Sequence, residues 1–155
     1  MKKVLIGCGG ISIVLLLVAG VIALIFIPRS LRLDKEATAY IEAAVPQIAS
    51  AWDPQALIDR ASPDLLAAVK SHDDLERLFV AYRRLGSLQK LEKPTGNVTS
   101  GAFSGSGAFT IGQYTANATF ENGQAQLRIQ VRRVGASWKI DAFHINSDLF
   151  LPPKA

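Results

Sequence analysis

The chain has 155 residues, 49% of them hydrophobic, with 17 Lys and Arg against 13 Asp and Glu. Lys2 and Lys3 precede a long apolar run, and from Arg29 onward the basic excess is only two and scattered, which excludes an electrostatic nucleic-acid surface. The single cysteine, Cys8, excludes an intramolecular disulfide and a multi-cysteine metal site.

Val4 to Ile27 contains no charged residue. As a helix it would be about 36 Å long, against a hydrocarbon core of about 30 Å. The expectation is an uncleaved transmembrane signal anchor over residues 1–28, with the lipid bilayer as partner of residues 4–27. Leu5-Ile6-Gly7-Cys8 has the shape of a lipobox, but the apolar bulk follows Cys8 where a signal peptide needs it to precede the cut. Lys2 and Lys3 favour a cytoplasmic N-terminus and an extracytoplasmic C-terminal domain, periplasmic in a Gram-negative host, while Arg29, Arg32 and Lys35 pull the other way.

Pro28 ends the run, and residues 29–33 read as a linker. Ala37, Tyr40, Ile41, Ala44, Val45, Ile48, Ala51 and Trp52 recur at three and four and mark one face of a helix. Pro46 should kink that helix or split it near Val45. Asp53-Pro54 and Ser62-Pro63 each place a capping oxygen before a first-turn proline, which predicts short helices over Pro54–Ala61 and Pro63–Val69. A fourth helix follows Ser71, with Leu75, Leu78, Phe79, Tyr82 and Leu85 on its buried face and Gly86 as its stop.

Beyond Gly86 the period falls to two. Tyr114, Ala116, Ala118 and Phe120 alternate with polar residues; after the turn dipeptide Asn122-Gly123, Ala125, Leu127, Ile129 and Val131 do the same. A second turn falls at Gly135-Ala136-Ser137. Trp138 and Ile140 begin the last strand, but Phe143 and Ile145 are out of phase with them by one residue. This predicts a β-bulge at Asp141-Ala142, with Phe143 and Ile145 buried and His144 exposed. Asn97–Ile111 reads as one strand of low apolarity.

Helices first and antiparallel strands after make an α+β fold: an N-terminal transmembrane helix, then several helices packed on a curved antiparallel sheet over residues 34–148, with 149–155 as a tail. "YRRLG" at a helix end, followed by "YTANATFENGQAQLRIQVRRVGASWKIDAFHINS", resembles the cystatin-like, or nuclear-transport-factor-2-like, superfamily, and within it small bacterial domains of unknown function. The resemblance implies a cone-shaped sheet cradling helices. It implies no activity, because the fold hosts enzymes, binding modules and secretion scaffolds alike.

The search for chemistry yields little. His72 stands at a helix start. Asp141 and His144 are three apart on a strand and nominally point to opposite faces, so only the bulge could pair them. Gly105-x-Gly107 lacks the third glycine and the following helix of a dinucleotide fingerprint. No catalytic set, metal site or cofactor follows. The reading is a membrane-anchored, extracytoplasmic binding or accessory domain that does no catalysis. Its candidate ligand-binding residues are Trp52, Phe79, Tyr82, Tyr114, Phe120, Trp138 and Phe143, all equally suited to plain core. An assembly scaffold of a cell-envelope secretion or transport complex, working through a protein partner or self-association, is the alternative; a small hydrolase or isomerase of the superfamily is the second.

Overall fold

The computed structural model describes residues 18, 30–69, 72–103 and 107–150. The chain divides into two compact units, Met1–Leu33 and Asp34–Ala155. Of the first, residue 18 and residues 30–33 are described and helical. The expectation of a transmembrane helix in the fold is corrected: among the described residues no helix is long and apolar enough to cross a membrane. The longest of them carries Asp34, Lys35, Glu36 and Glu42 and buries one face only. The apolar run Val4–Ile27, Cys8 included, lies outside the described residues apart from Val18.

In the second unit, helix α1 is described over 34–49. Ala37, Ile41, Ala44, Val45, Ile48 and Trp52 are buried as their spacing requires, with Ala49 added, while Tyr40 is half-buried and Ala51 exposed. Pro46 does not split α1. Its missing N–H forfeits one bond to the preceding turn, but Ile48 and Ala49 are fully buried beyond it and hold the last turn in place. Helices α2 (Pro54–Ile58) and α3 (Pro63–Ala68) start at the expected caps: the Asp53 carboxylate accepts from the Gln55 N–H and the Ser62 hydroxyl from the Leu65 N–H. Helix α4 spans His72–Arg83. It buries Leu75, Phe79 and Tyr82, but Leu78 is 42% exposed. Gly86 follows with φ +75°, the left-handed stop that glycine adopts without a Cβ clash.

Five strands make one antiparallel sheet: β1 (Leu88–Leu91), β2 (Thr95–Phe103), β3 (Gly107–Phe120), β4 (Gly123–Val134) and β5 (Ser137–Asn146). β4 pairs along one edge of β3; β1 and β2 share the other, β1 opposite Ala118–Phe120 and β2 opposite Gly107–Thr115. The single strand expected over Asn97–Ile111 is therefore two, a hairpin of β2 with the first part of β3. Its glycines suggest looseness in one dimension but serve ring packing in three. A Cβ on Gly101 would lie 2.7 Å from the Phe109 ring, and Cβ atoms on Gly96 and Gly112 would each press the Tyr114 ring within 2.8 Å. The turn between β3 and β4 is Glu121-Asn122, with Phe120 paired to Gly123, one residue earlier than the Asn-Gly dipeptide suggests.

The bulge is present. Val131 pairs with Ile140 and Gln130 with Ala142, which leaves Asp141 as the extra residue. Trp138, Ile140, Phe143 and Ile145 are all buried and His144 is exposed. Beyond β5 a 3₁₀ turn spans Asp148–Phe150. The buried residues of α1, α2 and α4 and of one sheet face make the core. The other face, Gln113 to Thr119 on β3, Gln124 to Gln130 on β4 and His144 with Asn146 on β5, is polar at every second position.

Candidate functional site

The seven aromatic candidates form three groups, all inside. Trp52, Phe79, Tyr82 and Phe120 make one cluster: the Trp52 ring centre lies 6.4 Å from Phe79, 5.6 Å from Tyr82 and 5.3 Å from Phe120. Phe150, which no sequence signal singled out, closes the cluster 5.8 Å from Tyr82. Trp52 has φ +49°, a conformation that a bulky side chain rarely adopts. Its indole N–H donates to the Gly86 carbonyl at 2.7 Å and ties the end of α1 to the end of α4.

Tyr114 stands apart. Its hydroxyl donates to the Asp34 carboxylate. Burial, then that hydrogen bond and the Asp34 charge, push the phenol well above its usual range. Trp138 and Phe143 form the third group on β5. The Trp138 indole N–H is buried with no hydrogen-bond partner among the described residues, and the Arg133 guanidinium lies 6.0 Å from the ring centre. A buried unpaired N–H is unfavourable by about 1–3 kcal/mol. Trp138→Phe is therefore expected to leave the denaturant midpoint near wild type, whereas Trp52→Phe, which strands the Gly86 carbonyl, should lower it.

The bulge builds a second constellation. The Asp141 side chain is 5% exposed. It accepts from the Ser62 hydroxyl at 2.6 Å, from Gln130 Nε2 at 2.7 Å, and from Arg132 Nε and Nη2 at 3.0 and 3.2 Å. Arg132 also reaches Asp64 at 3.0 Å. Ser62, fully buried, passes its own N–H to the Ile140 carbonyl at 2.7 Å, and the Ile140 N–H donates to Arg60 at 2.8 Å. Burial would raise the Asp141 carboxyl, but the hydrogen bonds from Arg132, Ser62 and Gln130, with the Arg132 charge, outweigh it and hold the pKa below the ordinary carboxylate value. With both carboxylate oxygens so engaged, Asp141 is not available as a base for His144. The cluster pins the α2–α3 turn to the sheet edge.

Open space lies on the polar face of the sheet. One groove of about 500 Å³ is lined by Glu92, Asn117, Thr119, Gln124, Gln126, Asn146 and Asp148. A second, of about 440 Å³, is lined by Asn97, Gln113, Thr115, Arg128, Gln130 and His144, and Tyr114 is the one expected residue that also borders it. Pairing aligns the two: Asn117, Gln126 and Asn146 form one cross-strand row, and Thr115, Arg128 and His144 the next. Rows on one face repeat at about 7 Å, two strand residues apart. Asn117 donates to Glu92 at 3.1 Å, and Gln113 to Gln130 at 3.4 Å. The side chains of Gln124, Gln126, Asn146 and Arg128 make no hydrogen bond or ion pair among the described residues. Sequence reading treats these alternating residues as a solvated face, and no motif distinguishes them from one. Among the described residues no group of three His, Cys, Asp or Glu side chains could hold a metal ion. No family model, no curated protein and no solved structure matches the chain.

Proposed function

We propose that the chain is a non-catalytic binding domain of the cystatin-like type that works through the open polar face of its sheet. The observation that carries this reading is the contrast between the two faces. The aromatic candidates are buried in the core, whereas the amides of Gln124, Gln126 and Asn146, without a side-chain partner among the described residues, line an open groove. Each amide offers both a donor and an acceptor, which suits an uncharged, hydroxyl-rich ligand of the neutral oligosaccharide class. Helices followed by antiparallel strands with a bulged last strand support the cystatin-like type. Bilayer attachment through residues 4–27, with the domain outside the cytoplasm, belongs to the same proposal and is supported by the uncharged run alone. Carbonate extraction and protease access in spheroplasts test it.

The ligand test is a titration of the protein with chitotriose and maltotriose, followed by backbone amide shifts. Shifts should concentrate on Asn117, Gln124, Gln126 and Asn146. Gln126→Ala, at an exposed position, should weaken binding about tenfold, the loss of one to two net hydrogen bonds, without changing stability. Shifts absent from these rows at saturating sugar would sink the reading.

A further inference from the structure

The two edges of the sheet are treated differently. At the β5 edge, Ala61 bridges to Ile140, the Ile140 N–H and C=O are both taken by the α2–α3 turn, Asp141 bulges out, and Lys139 and Asp141 add charge. At the short β1 edge, Lys90 sits beside a register shift. These are the usual devices against strand addition. β2 has none of them. Its nine residues pair with β3 in unbroken register from Thr95 to Phe103. Thr95, Gly96, Asn97, Thr99, Ser100 and Ala102 are exposed. No charged residue occurs from Pro94 through Phe120.

We propose that β2 is a homodimerisation edge, on which the β2 strand of a second copy adds antiparallel about a two-fold axis at Thr99, making one sheet across two molecules. This goes beyond the binding role of the sheet face and does not depend on it. The occupant follows from the chemistry of the edge. A foreign strand is recognised through pockets for its alternate side chains and through charge, and β2 offers small residues, glycines and no charge. What remains is backbone pairing, which identical antiparallel strands satisfy symmetrically. In that register Thr99 meets Thr99 of the second copy, a favourable cross-strand pair, and Asn97 and Val98 meet Gly101 and Ser100, so no like charges oppose one another. One strand pair is a small interface beside the roughly 1,600 Å² of a standard one, so the dimer forms and dissociates with concentration.

The test uses the full chain in mild detergent, with Cys8→Ala removing the native thiol. Thr99→Cys should form an intermolecular disulfide on oxidation, since facing residues across an antiparallel pair have Cα atoms about 4.5–5.5 Å apart. Gln126→Cys, on the open face, should not. Thr99→Lys, at an exposed position, sets two ammonium groups against each other and should weaken self-association measured by sedimentation about tenfold or more, at an unchanged denaturant midpoint. A chain monomeric at every concentration, a cross-link at position 126 and none between 95 and 103, or a dimer indifferent to Thr99→Lys would each overturn the proposal.

Discussion

Trp52→Ala should lower the stability of the Asp34–Ala155 unit by about 3–5 kcal/mol, the range for truncating a large core aromatic, read as a lower urea midpoint with an unchanged slope. Three losses coincide. The ring leaves its contacts with Phe79, Tyr82 and Phe120, all buried. The Gly86 carbonyl loses its donor. The alanine inherits φ +49° without the packing that holds tryptophan there. Trp52→Gly separates the last of these from the rest. Glycine adopts that φ freely, so on this count alone it should be no worse than alanine, despite its greater freedom in the unfolded chain. If Trp52→Ala unfolds at the wild-type midpoint, the aromatic cluster does not join α1 to α4.

Asp141→Ala should lower stability by about 2–4 kcal/mol, between the loss of charge-assisted hydrogen bonds and the breaking of a buried ion pair. The Ser62 hydroxyl, fully buried, loses its acceptor, and Arg132, partly exposed, keeps Asp64. The sign with pH follows from the carboxyl. Its folded pKa lies below the unfolded value, so the stabilisation is complete above the unfolded pKa and is lost as the pH falls through the folded one. The midpoint difference between wild type and Asp141→Ala should therefore be constant near neutrality and shrink below about pH 4. A difference independent of pH would mean that the carboxylate charge contributes nothing and that the residue acts by shape alone.

A dimer through β2 would leave the groove along the Asn117–Gln126–Asn146 row open, because none of its lining residues lies on β2. A ligand on the Asn117–Gln126–Asn146 row and a second copy on β2 are then compatible.

How much of this was legible in one dimension depends on the range of the interaction. The caps at Asp53 and Ser62, the stop at Gly86, the buried stripes of α1 and α4 and the bulge before Phe143 were legible, because each depends on a period or on neighbours within a few residues. The phase slip between Ile140 and Phe143 admits one solution once both pairs must be buried. What the sequence could not decide was which distant groups meet. Ser62 finds Asp141 across 79 positions, and Tyr114 finds Asp34 across 80. The glycines of β2 and β3 looked like looseness until the rings of Phe109 and Tyr114 lay over them. Pro46 looked like a break until the burial of Ile48 and Ala49 outweighed one missing hydrogen bond. An aromatic residue reads the same in sequence whether it lines a pocket or fills a core. Only the packing of helices onto the sheet decided that these seven belong to the core, and that the open surface is the amide-bearing face behind it.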